Sequence, residues 1–254
     1  EVEYDKKVNE NIFNALPNLK SVKNTHDLVW ELTFSSTSDM RPNLFDFAQD
    51  HQLRTLQIVL KSKNLEVVNS FGERNYFFNI KNNNEIVGIF LHAREIIERV
   101  NDGTLDIGIS GLDILKELPD VYSKNVKIFK KLNFGFADLV VAVPKDWLDV
   151  QNMADLEEVS FEFREKYGRR MRVATKYPNL TESFFLSKGV SQFRVVPSLG
   201  ATESYPFTGS SELITDITST GSTLKANNLR IINDGIILKS SACIFVSKKI
   251  KKIN

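Results

Sequence analysis

From about residue 70 the chain alternates short apolar runs with amphipathic stretches, and the two periods sort into strands and helices. Continuous or alternating apolar runs predict strands at Tyr76–Ile80, Ile86–Leu91, Leu105–Ile109, Ala137–Val143, Arg172–Thr175, Gln192–Pro197, Leu213–Ile217 and Gly235–Val246. Helical spacing predicts helices at Arg94–Asn101, Ile114–Glu117, Met153–Tyr167, Thr181–Ser187 and Thr223–Asn227. Residues 1–69 break this rhythm. A strand is expected at Leu28–Phe34, a turn or helix N-cap in Ser35–Asp39, and a helix from about Pro42 with Leu44, Phe45, Phe47 and Ala48 on its apolar side. Thr55–Leu60 fits a strand or more helix equally well. Strands interleaved with helices of these lengths build βαβ units, so an α/β protein with mixed, largely parallel sheets is expected.

Composition adds exclusions. Hydrophobic residues at 42% and charged residues at 26% describe a chain that can bury a core. Lys and Arg (33) nearly cancel Asp and Glu (32), so no global field attracts nucleic acid or an anionic membrane, and neither is expected as a partner. The single Cys243 and the scattered His26, His51 and His92 supply neither a disulfide framework nor a zinc site. Apolar runs such as Leu139–Val143 are far shorter than the roughly 20 residues of a membrane span. The opening Glu-Val-Glu-Tyr-Asp has no basic-then-apolar character, and a cytoplasmic protein is expected.

Four stretches carry candidate chemistry. In Leu213–Leu224 an apolar strand runs into Asp216, then Thr218, Ser219, Thr220, Gly221, Ser222 and Thr223, and a helix follows. Small hydroxylic residues around a glycine at a helix start can cradle a phosphate with backbone N–H groups, and a carboxylate just before them can accept hydrogen bonds from ribose hydroxyls. The same residues also suit a capped strand-to-helix turn, so both readings stand at this point. Asp106–Asp113 ends a strand in Gly108, Ser110 and Gly111, with Asp113 opening a helix. In Ala174–Phe185, Lys176 is a candidate anion contact and Thr181 a candidate cap; in Leu199–Pro206, Glu203 follows Gly200 at a strand end. For Asp106–Asp113 an ordinary turn and N-cap is the competing reading, and for the other two a charged residue on a solvated loop.

The order of these blocks resembles ATP phosphoribosyltransferase, the first enzyme of histidine biosynthesis. The matching text is Asp-Ile-Gly-Ile-Ser-Gly-Leu-Asp at 106–113, Asn-Phe-Gly-Phe-Ala-Asp-Leu-Val-Val-Ala-Val-Pro at 133–144, Arg-Val-Ala-Thr-Lys-Tyr-Pro-Asn-Leu-Thr at 172–181, Gly-Ala-Thr-Glu-Ser-Tyr-Pro at 200–206 and Asp-Ile-Thr-Ser-Thr-Gly-Ser-Thr-Leu-Lys-Ala-Asn-Asn-Leu at 216–229. It covers about residues 70–250 and is most like the short-form enzymes. The resemblance implies a two-lobed fold like periplasmic binding proteins of the second type, with a cleft between the lobes. It implies that 70–112 plus 232–250 form lobe I, that 113–231 form lobe II with the phosphate loop, and that 1–69 are an atypical segment. It implies transfer of the phosphoribosyl group from phosphoribosyl pyrophosphate to N1 of ATP, with Mg²⁺ accompanying the pyrophosphate. Asp216 and Glu203 would be the catalytic carboxylates. Asp216 with Ser219, Thr220, Gly221, Ser222, Thr223 and Leu224 would hold phosphoribosyl pyrophosphate, and Gly111, Asp113 and Lys176 would lie at ATP. A homodimer is implied, with or without a separate regulatory subunit.

The family's amino-terminal basic glycine loop, of the type Ser-Lys-Gly-Arg-Leu, has no counterpart after Leu32–Phe34, where this chain reads Ser35-Ser-Thr-Ser-Asp-Met-Arg-Pro. Arg41 is the candidate substitute there, and Arg94 the candidate near the second strand, where His92 replaces the family's arginine. Polyphosphate recognition relies on charge-assisted hydrogen bonds worth about 1.5–3 kcal/mol each. A second reading therefore stays open at this stage: a non-catalytic, phosphoribosyltransferase-like binding or regulatory protein. A solute-binding protein for a small organic anion is the third.

Overall fold

A computed structural model of the chain describes residues 30–34, 67–68, 77–81 and 83–249. The described residues fall into two compact units, one drawn from 30–110, 125–129 and 244–249 and the other from 111–124 and 130–243. The expected helix from Pro42, the turn at 35–39, Thr55–Leu60 and Arg41 lie outside the described residues.

Among the described residues the first unit carries a seven-stranded sheet in the order β2-β3-β4-β1-β5-β12-β6. Its strands are β1 (Trp30–Phe34), β2 (Val67–Val68), β3 (Phe77–Ile80), β4 (Asn83–Phe90), β5 (Ile107–Gly111), β6 (Val126–Lys131) and β12 (Ala242–Ser247). Although 1–69 depart from the family pattern, β1 is central. It runs parallel to β4, with Trp30 opposite Ile86 and Phe34 opposite Phe90, and Phe34 also faces Ile109 of parallel β5. Helix α1 (Ala93–Asp102) buries Ala93, Ile96, Ile97 and Val100, is capped by the His92 side chain, and stops at Gly103 in a left-handed conformation. Its exposed side carries Arg94–Glu98 and Glu95–Arg99 pairs at i,i+4 spacing.

The second unit carries a five-stranded sheet in the order β11-β7-β10-β8-β9. Its strands are β7 (Ala137–Pro144), β8 (Met171–Thr175), β9 (Phe193–Pro197), β10 (Leu213–Thr218) and β11 (Leu229–Ser240). Strands β10, β8 and β9 are mutually parallel, whereas β7 runs antiparallel to both β10 and β11. Its helices are α2 (Leu112–Glu117), α3 (Met153–Tyr167), α4 (Pro178–Ser187) and α5 (Ser222–Ala226), with 3-10 turns at Asp120–Tyr122 and Thr202–Ser204. Apolar clusters lie on both faces of its inner strands β7, β8 and β10, which is why these read as nearly continuous apolar runs, whereas the edge strands β11 and β9 carry exposed positions. Val141, Val143, Val173 and Leu213 pack with Met153 and Leu156 of α3 and Phe185 of α4. The alternate residues Val140, Ala142, Ala174 and Ile214 pack with Leu224 of α5 and Leu229. Side-chain alternation thus assigns every residue near the strand ends to one of two faces.

The α/β class and the mixed sheets are as expected, with a larger antiparallel share, since β7 is antiparallel to both its neighbours. Helix α3 spans the predicted range because Asn152 and Asp155 form a reciprocal capping box and Gly168 ends it in a left-handed conformation. The single strand expected over Gly235–Val246 is instead two strands in different sheets, broken at Ser241, whose carbonyl accepts from Leu112 N–H. Because β11 stays paired to β7 as far as Ser240, residues 232–240 belong to the second unit and not to the first, and the chain changes unit after Cys243, within β12. Strand β6 escaped the sequence pattern, since lysines occupy three of its positions, Lys127, Lys130 and Lys131. Helix α4 begins at Pro178 at its first turn, so Thr181 lies inside the helix and is not its cap. Cys243 is a fully buried free thiol, pushed up in pKa by burial. Among the described residues no helix is long and apolar enough to cross a membrane.

Candidate active site

The candidate residues of the second unit gather around the carboxyl end of β10 and its parallel neighbour β8. Thr215 pairs in register with Thr175, so Asp216, still inside β10 and paired with Val140 of β7, follows beside Lys176, the first residue after β8. Asp216 shares the parity of Ile214 and therefore lies on the α5 face of the sheet. Its Oδ1 accepts from Ile217 N–H at 2.8 Å. Burial is the largest influence on this carboxyl and pushes its pKa from 3.8 to about 6; Glu203 acts the same way, against the Ile217 N–H and Lys176. A carboxylate held this far above its ordinary range is short of partners for its charge.

Beyond Asp216 the backbone turns through Thr218–Gly221 into α5. Gly221 has φ +71, a conformation that strains any residue with a Cβ. Its N–H donates to Thr218 Oγ1 at 2.8 Å, Ser222 N–H to Thr220 Oγ1 at 3.3 Å, and the Thr220 and Ser222 hydroxyls lie 2.8 Å apart. The turn is thus organised by its own hydroxyls. Ser219, Thr220, Ser222 and Thr223 are exposed, while Leu224 is buried in the apolar cluster that anchors the turn to the sheet.

Glu203 sits on the 3-10 turn Thr202–Ser204, which is entered through Ala201 at φ 42 and ψ 47. The buried Ser198 and Thr202 hydroxyls, 2.9 Å apart, hold the base of this turn. On the other side, Tyr177 ends the β8–α4 link. Burial first, then the charges of Asp113, Asp216 and Glu117, raise its phenol well above the usual range, so it stays a hydrogen-bond donor.

Asp113 takes a different position from the one expected. It is only 6% exposed; Oδ2 accepts from Tyr177 Oη at 2.8 Å and Oδ1 from Ser240 Oγ at 2.6 Å. Both oxygens accept a hydrogen bond inside the unit, so Asp113 braces the β8–α4 link. The glycine at 111 follows from this: a Cβ there would sit 2.2 Å from Asp113 Oδ1. Glu117, unremarkable in sequence, accepts from the N–H groups of Asn179 and Leu180 and so caps α4. Tyr177, Ser240 and Glu117 escaped the sequence reading because their partners lie 62 to 127 residues away. In the first unit, Arg94 is exposed and pairs with Glu98 at 3.0 Å. Among the described residues no three His, Cys, Asp or Glu side chains come close enough to hold a metal ion.

Comparison with known proteins gives a consistent result. The family model for ATP phosphoribosyltransferase matches residues 92–254. An ATP phosphoribosyltransferase from Chelativorans sp. is 48% identical over 178 residues, covering 70% of this chain and 77% of that protein. Another, from Mesorhizobium japonicum, is 45% identical over 199 residues, covering 75% and 86% respectively. The solved ATP phosphoribosyl transferase (HisG:HisZ) complex from Thermotoga maritima shares the fold, with a TM-score of 0.58 at 23% identity over 87% of this chain and 88% of that one. An ancestral amino acid-binding protein, a precursor of cyclohexadienyl dehydratase, also matches, with a TM-score of 0.50 at 12% identity over 87% and 83%.

Proposed function

The chain belongs to the ATP phosphoribosyltransferase family, and on that premise we propose that the end of β10 is where it performs the family reaction, the first step of histidine biosynthesis. The transfer breaks the bond between the anomeric carbon and pyrophosphate and forms one from that carbon to N1 of ATP. Positive charge builds on the ribose and negative charge on the leaving group, so catalysis falls to positioning and electrostatics. One observation carries the assignment: Asp216, its pKa lifted to about 6, stands between Lys176, Glu203 and a turn of exposed hydroxyls. Ribose hydroxyls would donate the hydrogen bonds this carboxylate lacks. The turn at Ser219–Thr223 would take the 5′-phosphate on its hydroxyls and remaining N–H groups, with Leu224 fixing it to the sheet.

Glu203 would stand by the ribose and Lys176 by a phosphate of either substrate, while Gly111 serves the nucleotide indirectly by admitting the Asp113 brace. Mg²⁺ suits this donor set as an ion carried on pyrophosphate, with Asp216 and Glu203 the carboxylates at hand, because Mg²⁺ commonly keeps water and substrate oxygens as most of its ligands. When bound, it would neutralise the leaving pyrophosphate. We also propose that the chain acts in the cytoplasm as a homodimer. The Thermotoga structure is a complex of two differently named chains, which supports a separate regulatory subunit as a further partner.

The test is direct. Purified protein with ATP, phosphoribosyl pyrophosphate and Mg²⁺ should release pyrophosphate and form the N1 adduct, followed by absorbance and mass. Binding of phosphoribosyl pyrophosphate without turnover would instead favour the non-catalytic reading.

A further inference from the structure

We propose that three buried threonines, Thr175, Thr181 and Thr215, form a positioning unit that fixes Asp216 and Lys176 from behind the sheet for binding of phosphoribosyl pyrophosphate. This rests on the reading of Asp216 given above and adds the residues that would make its geometry reproducible.

All three side chains are fully buried. The Thr215 hydroxyl donates to Thr175 Oγ1 at 2.7 Å, the Thr181 and Thr215 hydroxyls lie 2.6 Å apart, and Tyr177 N–H donates to Thr175 Oγ1 at 2.9 Å. The cluster thus ties together three separate elements: the last residue of β8, the first turn of α4 and the middle of β10. Parity sets its place. Thr175 and Thr215 share the parity of Val173 and Leu213, which pack under α3 and α4, whereas Asp216 shares that of Ile214 on the opposite face. The residues immediately after the two register-paired threonines are Lys176 and Asp216.

A slip of either strand end, or a tilt of α4, would strand a hydroxyl in an apolar core, and burial of an unpaired hydroxyl is costly. The cluster therefore penalises the small displacements that would spoil the spacing of Lys176 and Asp216. Lys176 is tethered on both sides: Thr175 before it belongs to the cluster, and Tyr177 after it is held by Asp113. Apolar side chains would fill the same volume, but they would not add directional bonds to the backbone ladder between β10 and β8, nor tie α4 to both strands.

Thr215→Val keeps the branched shape and removes the hydroxyl, and Thr215→Ser keeps the hydroxyl. A merely structural role lowers the melting temperature and the folded fraction but leaves the properties of each folded molecule unchanged. A positioning role changes those properties. With folded fraction measured by circular dichroism, Thr215→Val should weaken phosphoribosyl pyrophosphate binding in calorimetry, and lower kcat/KM for it per folded molecule, each by about tenfold. Thr215→Ser should restore both to within about threefold of wild type. If Thr215→Val does not fold, Thr181→Val removes the hydroxyl from the helix side and should act in the same direction. A folded, less stable Thr215→Val or Thr181→Val variant with wild-type affinity and kcat/KM would overturn the proposal and leave the cluster a register lock. Wild-type protein that binds no phosphoribosyl pyrophosphate would overturn the functional reading as well, an outcome distinguishable because it precedes any variant.

Discussion

Asp216→Asn should make the protein more stable and less active at neutral pH. The carboxyl is lifted from 3.8 to about 6, chiefly by burial. A rise of that size corresponds to about 3 kcal/mol against the charged form, and partial exposure and relaxation reduce this to about 1–2 kcal/mol. The folded protein holds this proton more tightly than the unfolded chain does, so stability falls as pH rises through the window from about 4 to about 6 and stays reduced above it. Asparagine preserves an oxygen for the Ile217 N–H and carries no charge to desolvate. The variant should therefore melt about 3–6 °C above wild type at pH 7.5, and the gain should disappear near pH 4. Over the same range kcat/KM for phosphoribosyl pyrophosphate should fall by about 100-fold or more, because ribose orientation is lost. Scanning calorimetry across pH 4–8 and a pyrophosphate-release assay provide the two readouts. A variant that melts at or below wild type at pH 7.5, or whose gain persists at pH 4, would refute the electrostatic reasoning; retained activity would refute the role.

Glu212 behaves oppositely. Burial acts to raise its pKa, but hydrogen bonds from Arg172 and Arg169 outweigh it and hold the carboxyl at about 2. Glu212→Gln should cost about 2 kcal/mol at pH 7, a difference that should shrink as pH falls from about 4.5 towards about 2 while wild type loses its own charge; an undiminished gap at the acid end would count against it. Gly221→Val has open space for a Cβ but a left-handed backbone, so the fold should lose only about 1–2 kcal/mol while affinity for phosphoribosyl pyrophosphate collapses; unchanged affinity in calorimetry would exclude the turn from the site. Cys243 should react with a thiol reagent no faster than the protein opens, and rapid labelling of the native state would contradict its burial.

Sequence legibility followed locality. Helix α3 and strand β7 were readable because their signals are contiguous: a capping box at one end and a left-handed glycine at the other for the helix, an unbroken apolar run for the strand. The Asp216 turn was readable for the same reason, since strand, carboxylate, hydroxyls and glycine follow one another. The break between β11 and β12 was marked only by Lys239-Ser240-Ser241, a polar triplet that one long strand could also carry, and what turns the chain there is a contact with Leu112 and Asp113. Thr181 looked like a cap because hydroxyl residues favour that position; its real partner, Thr215, is 34 residues away. The partners of Asp113 were illegible for an equivalent reason, since a glycine-flanked carboxylate at a helix start gives no sign that Tyr177 and Ser240 donate to its oxygens.

The carboxylates of the second unit are chemically identical but are separated by what the fold offers each of them. Asp113 is satisfied by two hydroxyls, Glu117 by two backbone N–H groups of α4, and Glu212 by two guanidinium groups. None of these three would gain from a ligand, because exchanging a satisfied internal hydrogen bond for an external one yields little. Asp216 takes one hydrogen bond, from its neighbour's N–H, and burial together with Glu203 outweighs that bond and the charge of Lys176. A polyhydroxyl ligand that donates to Asp216 removes a cost the folded protein already carries, so part of the binding free energy is stored at the site before the ligand arrives. That asymmetry, more than any motif, distinguishes the carboxylate proposed to bind from those that hold the scaffold.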